Sequence, residues 1–150
     1  MGEGEGQRPG VRLSIIMIKY KLIKNTNEKS DYVDMYSARA AHDGIIDMNQ
    51  LVEHMANHNS PFSAGTIAGV LKDMVSCIRE LLLESKKVKL DNLAIFSLGL
   101  KSTYATTPKL FTARDNIKGA HINARGTGEF SKKQLDIDCR FVEADEYQVK

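Results

Sequence analysis

The chain has 150 residues, 42% hydrophobic and 27% charged, with a formal net charge of +2. That length and balance describe one ordinary globular domain, large enough to bury a core without disulfide or metal staples. No apolar run approaches the roughly 20 residues of a membrane span, and residues 13–18 are too short a run, without a small-residue cleavage site, for a secretory signal.

Residues 1–14, where Gly and Glu alternate at the start, carry little to bury and are expected to be a disordered extension. Ile16, Ile18, Tyr20 and Leu22 then alternate with Met17, Lys19 and Lys21, the pattern of a half-buried strand. A polar loop from Asn25 leads into a second strand over 32–40, and the loop is too short for a crossover, so the pair is expected to be antiparallel.

Asp47 fits a helix N-cap, Gln50 completes a capping box, and Ile46 is placed to staple onto Leu51. Met48, Leu51, Val52 and Met55 form the apolar face of this first helix. His54 and His58 stand four apart, but no Cys or acidic ligand set accompanies them and Met55 occupies the position where a zinc His-Glu-x-x-His motif has Glu. They read as surface histidines, and no metal or cofactor is expected. Asn59, Ser60 and Pro61 end the helix. Ser63 then caps a second, longer one over 64–84, with Phe62 placed to staple onto Ile67. Ile67, Val70, Leu71, Met74, Ile78, Leu81 and Leu82 share one stripe, on which Cys77 reads as a small core residue. Lys72 and Arg79 fall on the outer side. The stripe is wider than one short strand covers, which predicts a second copy of the chain against Val70, Met74 and Ile78, with Phe96 joining them from the following strand.

Val88 and Leu90 alternate, Asp91-Asn92 offers a turn, and Ala94, Phe96, Leu98 and Leu100 share one side of the next run. Beyond Lys101 the chain is polar to Pro108. A short helical turn is expected over 111–117, a returning strand over 120–125, a turn at Gly126 and Gly128, a short helix over 130–135 and a last strand through Ile137, Cys139 and Phe141. Two cysteines far apart point to a reducing compartment. The charge is uneven. From Lys101 to Lys133 seven basic residues face only Asp115 and Glu129, a local net charge of +5 that leaves −3 for the remainder. Such a segment suits an anionic partner.

The order of helix, turn, long helix, hairpin strand, basic arm, returning strand and short helix resembles the HU and integration host factor family of bacterial histone-like DNA-binding proteins. The stretch Lys87-Val88-Lys89-Leu90-Asp91-Asn92-Leu93-Ala94-Ile95-Phe96 carries it most specifically, within a likeness that covers roughly residues 46–135. The added strands at 13–24 and 32–40, Met17-Ile18-Lys19-Tyr20-Lys21, and Phe111-Thr112-Ala113 through Lys118-Gly119 are similar to the divergent subfamily called HU-HIG. The resemblance implies an α+β, IHF-like DNA-binding fold: a helical hairpin plus an antiparallel sheet with a basic arm, extra N-terminal strands, and an intertwined dimer. It implies one domain over 15–143 with a frayed 144–150, and places Met17 where the subfamily chain begins. Truncation to Met17 is therefore expected to leave the melting temperature within about two degrees.

On that resemblance the protein would be a nucleoid-associated, cytoplasmic homodimer holding double-stranded DNA with little sequence specificity. Lys101, Lys109, Arg114, Lys118, Arg125, Lys132 and Lys133 would meet phosphates, and Arg125 matches an arginine the subfamily carries on its returning strand. The usual Arg-Asn-Pro arm tip, a minor-groove wedge in HU and integration host factor, is absent; Pro108 is the lone proline of the arm, which implies modest bending. The alternative is an HU-like scaffold for protein–protein assembly. A Gly-rich phosphate loop, a nucleophile–base pattern and a membrane segment are all missing, so neither an enzyme with a small-molecule substrate nor a membrane partner is expected.

Overall fold

The computed structural model describes residues 17–144. In chain order the elements are β1 (Ile18–Lys24), β2 (Tyr36–Ala40), α1 (Met48–Asn57), α2 (Ala64–Leu83), β3 (Val88–Leu90), β4 (Ala94–Ser102), α3 (Ala113–Asn116), β5 (Ile117–Gly126), α4 (Lys132–Asp138) and β6 (Phe141–Glu143), with 3-10 turns at Pro108–Leu110 and Gly128–Phe130. The expected extension over 1–14 and all but the first residue of the expected frayed end lie outside the described residues. The described residues divide between two compact units. One comprises the described residues through Gly44 with those from Cys139 onward, the other Ile45–Asp138.

In the first unit β1 is the central strand of the order β2-β1-β6, antiparallel to β2 and parallel to β6. Tyr20 stands opposite Ala40 and Lys21 opposite Arg39. The N–H of Ala144 donates to the Tyr20 carbonyl at 2.9 Å, so the β6 pairing runs on into residue 144. The second strand begins later than the expected residue 32. Asn25 holds the chain before it in turns, donating to the Ser30 hydroxyl and the Tyr32 carbonyl, and Asp34 has a left-handed φ of 62°.

In the second unit the helix starts are those the capping chemistry dictates. The N–H of Gln50 donates to the Asp47 carboxylate at 2.9 Å, and the Asp47 N–H donates back to the Gln50 side chain at 3.0 Å. Ser63 caps α2 by accepting from the Thr66 N–H. The hydrophobic staples add little cover, because Ile46 and Phe62 both stay exposed. α2 ends in a left-handed residue, Ser85 at φ 63°, and Asn92 at φ 57° makes the turn between β3 and β4. Gly128, also left-handed, lies so close to Asn92 that a side chain there would collide with it. β4 then pairs antiparallel with both β3 and β5. At the far end Ile137 belongs to α4 rather than to a strand. Two i,i+4 contacts, Lys132 with Asp136 and Gln134 with Asp138, hold that turn helical and confine the last strand to β6.

Where the core lies is the departure from composition. Among the described residues the buried apolar side chains are Val52, Ile67, Leu82 and Ala94, and no large side chain is fully buried. α1 packs on α2, and α2 on β3 and β4, but the two margins of the stripe, at Val70 and Val75, stay exposed. Cys77 is exposed rather than core: ten residues after Ile67, it points about 80° away from the buried direction.

Replacing Asp47 with Ala removes the cap and leaves N-terminal amides of α1 without a side-chain acceptor. Urea denaturation at fixed protein concentration should show a loss of about 1 kcal/mol with an unchanged slope.

Candidate nucleic-acid interface

The hairpin of β4 and β5 has two chemically different faces, because alternate residues point to opposite sides. On one side Ala94, Phe96, Leu98 and Leu100 stand across from Gly126, Ala124, Ile122 and Ala120. Phe96, Leu98 and Ile122 form, with Met74, Ile78 and Leu82 of α2, a groove of roughly 420 Å³ whose walls are almost wholly apolar. Leu100 and Ile122 remain 63% and 61% exposed there, because the hairpin extends past the helix. Arg79, expected on the outer side of α2, lines this groove.

On the other side lie Ile95, Ser97, Gly99 and Lys101, opposite Arg125, Asn123, His121 and Gly119. Gly99 leaves room on this face. A Cβ at that position would come within 3.0 Å of both the Asn123 amide nitrogen and the His121 ring, whose side chains lie across the bare strand. The face is thus a polar strip. Arg125 stands near one end and Lys101 at the other, about 20 Å apart by strand rise, with His121 and Asn123 between them. His121 and Asn123 were missed in the sequence, although their two-residue spacing from Arg125 on one strand was the available signal.

At the far end of the hairpin residues 103–116 form an ordered tip. Asn116, a buried polar residue, organises it: its carbonyl accepts from the Thr103 N–H at 2.8 Å, its side-chain oxygen accepts from the Thr112 N–H at 3.0 Å, and its amide donates to the Thr103 hydroxyl at 3.2 Å. Tyr104, Leu110 and Phe111 are exposed on this tip, and so are Lys109 and Arg114.

The seven basic residues therefore do not share one surface. Lys101 and Arg125 share the polar face, and Lys109 and Arg114 sit on the tip. Lys118 falls in the irregularity where the register shifts between Lys101 and Ser102, and its ammonium donates to the Asp115 carbonyl. Lys132 is engaged with Asp136, and Lys133 is exposed on α4. Of the four residues expected at a dimer interface, Met74, Ile78 and Phe96 line the apolar groove, while Val70, 62% exposed, lies on the opposite margin of the α2 stripe. His54 and His58 are exposed with their rings 4.4 Å apart. Among the described residues there is no cluster of metal-ligating side chains, and no helix is long and apolar enough to cross a membrane.

A profile described as an HU domain fused to wHTH, Ig or a glycine-rich motif matches residues 16–136. The chain belongs to the HU-HIG family. The match takes in β1, β2 and all but the last two residues of the helical and hairpin unit, so both compact units contribute to the HU-HIG region. A crystal structure of a "putative bacterial DNA binding protein" from Bacteroides vulgatus has the same fold, with a TM-score of 0.63 at 16% identity. The alignment covers 89% of this chain and 51% of that one, so this chain spans about half that protein's length. No curated protein matches the sequence.

Asn116→Ala would leave the Thr112 N–H without its acceptor and the Thr103 hydroxyl without its donor. The tip should lose about 1–3 kcal/mol of local stability. Hydrogen exchange should report it as faster exchange at Thr112 while protection in β4 and β5 is kept.

Proposed function

We propose that this HU-HIG chain is a nucleoid-associated, non-catalytic protein of the bacterial cytoplasm that binds double-stranded DNA with low sequence specificity as a homodimer. The observation that carries the reading is the two-faced hairpin. One face is a polar strip bounded by Lys101 and Arg125, the other an apolar groove left open by its own chain. A second copy would cover the apolar side, and the two polar strips would then lie on one assembly. Phosphate contacts from cations and neutral donors such as Asn123 hold a duplex without reading its sequence. The tip has no Arg-Asn-Pro wedge, so little energy is on hand to offset the few kcal/mol that unstacking a base step costs, and the duplex bends modestly.

The reading makes two measurable demands. Val75 lines the apolar groove and is half exposed: in an isolated chain Val75→Asp is a surface change worth within about 0.5 kcal/mol, whereas in the dimer it places a charge against apolar groups. Sedimentation should show dissociation or unfolding of this variant at concentrations where the natural chain is dimeric. A natural chain that sediments as a monomer of native helicity would defeat the reading.

Neutralising Lys101, Arg114 and Arg125 together should weaken binding to duplexes of unrelated sequence by similar factors. The slope of log affinity against log salt should fall by about 0.9 for each phosphate that is no longer neutralised, hence about twice that per substitution in a homodimer. Lys72→Ala, on the outer side of α2, should alter neither quantity. Unchanged affinity in the triple variant would favour the scaffold alternative, for which the engagement of Lys118 and Lys132 with groups of their own chain already speaks.

A further inference from the structure

The first unit carries a charged surface that the hairpin reading does not use. Residues directly opposite one another on paired strands share a face of the sheet, and the face changes at every residue. On β1 that puts Ile18, Tyr20 and Leu22 on one side, where Ala38 and Ala40 of β2 and Phe141 of β6 join them. The other side takes Lys19, Lys21 and Ile23 of β1, Ser37 and Arg39 of β2, and Val142 of β6. All the cations of these paired positions between Ile18 and Ile23, and the arginine of β2, therefore stand on one face.

Those cations are not equally free. Lys19 is tied to Asp43 at 3.0 Å. Lys21 and Arg39 stand directly opposite each other, both exposed, and their side chains have no ion-pair or hydrogen-bond partner among the described residues. Three cations against the Asp43 carboxylate leave this face a net charge of +2. Like charges set directly across two strands destabilise the pair. An anion that bridges Lys21 and Arg39 removes that repulsion.

The build of the face selects among anions. None of its paired positions is aromatic, so it offers nothing on which an unpaired base stacks. Three strands side by side are wider than the two-stranded ribbon that a major groove admits, so base edges stay out of reach. Contact with a sugar–phosphate backbone is what remains, and Lys, Arg and Ser side chains are usual donors to it. Ser37 stands two residues along β2 from Arg39, exposed, and its hydroxyl has no partner among the described residues.

We propose that this face of the β1–β2 pair is a second duplex-binding surface, on which Lys21 and Arg39 neutralise phosphates and the Ser37 hydroxyl donates to one. The inference rests on the reading of the chain as a duplex-binding protein and extends it to the unit outside the hairpin. Contact is to the backbone alone, so the surface adds affinity and salt dependence without sequence preference. It gives β1 and β2, which lie within the HU-HIG match, a part in binding.

Titrating the full-length chain with a mixed-sequence duplex of about 30 base pairs at several salt concentrations reads this surface. Lys21→Gln/Arg39→Gln removes both charges and keeps both aliphatic stems. It should weaken binding and lower the slope of log affinity against log salt by about 0.9 per phosphate released, up to about 3.6 for the four side chains of a homodimer. Lys29→Gln/Lys72→Gln removes the same charge elsewhere and should leave the slope as it was. Without DNA, Lys21→Gln/Arg39→Gln should melt no lower than the natural chain, because it relieves a like-charge pair. The assignment is overturned if that variant keeps the natural slope, if the Lys29/Lys72 variant loses as much, or if Lys21→Gln/Arg39→Gln melts well below the natural chain, which would make the two side chains part of the sheet's own stability. The variant neutralised at Lys101, Arg114 and Arg125, run alongside, separates the two surfaces. A slope lost there but kept in Lys21→Gln/Arg39→Gln overturns the second surface alone, the reverse overturns the hairpin interface alone, and a natural chain that leaves the duplex unbound overturns both. Poly-glutamate that displaces labelled duplex as well as unlabelled duplex of equal charge does would overturn the choice of DNA.

Discussion

An apolar groove that its own chain leaves uncovered is the constraint on which the rest of this structure depends. α2 carries apolar side chains around more than a third of its circumference, from Val70 on one margin to Val75 on the other, and both of these are exposed. α1 covers one part of that surface and the sheet another. The remainder, with Leu98, Leu100 and Ile122 of the hairpin, faces outward. Large apolar patches on a folded chain mark interaction surfaces. Because the same groove includes Met74, Ile78 and Leu82 of the stripe, the proposed dimer would couple association to folding, as in obligate dimers whose stability is inseparable from protomer concentration.

The hairpin converts this packing problem into a functional geometry. A strand has two sides. Once the Phe96–Leu98–Leu100 side is committed to apolar contact, everything between is committed to the other side: Ser97, Gly99 and Lys101 on β4, with His121, Asn123 and Arg125 on β5. Gly99 is the point where that division is most visible. It clears the strand so that the His121 and Asn123 side chains lie across it. The tip beyond is held by hydrogen bonds of Asn116 rather than by an apolar cluster, which leaves Tyr104, Leu110 and Phe111 outside.

The N-terminal unit follows a different logic. Its sheet is short, its strands bury little, and much of its order comes from polar contacts: the Asn25 network in the loop, the Lys19–Asp43 ion pair and the parallel docking of β6. Exposed surface ion pairs of this kind contribute little to stability. The feature that stands out here is accordingly one whose side chains are left without a partner among the described residues, the Lys21–Arg39 pair.

By itself the sequence determined what local physics determines. The cap at Asp47, the cap at Ser63, the left-handed turn at Asn92, the α1–α2 hairpin and the two-sided alternation of β4 were all legible, because each depends on residues within a few positions of one another. The stripe on α2 also announced its surplus width. Of the candidate site, Lys101 and Arg125 were legible as basic residues on strands. Their sharing of one face with His121 and Asn123 depended on the β4–β5 register, a pairing of residues 18 to 30 positions apart. The same holds where the sequence misled. Cys77 lay at the edge of the stripe and not on its covered part, Lys118 and Lys132 found partners in their own segments, and Ile137 joined a helix. Periodicity assigns a side chain to a direction; only the tertiary structure decides what stands in that direction, because burial and pairing are properties of residues brought together from distant parts of the chain.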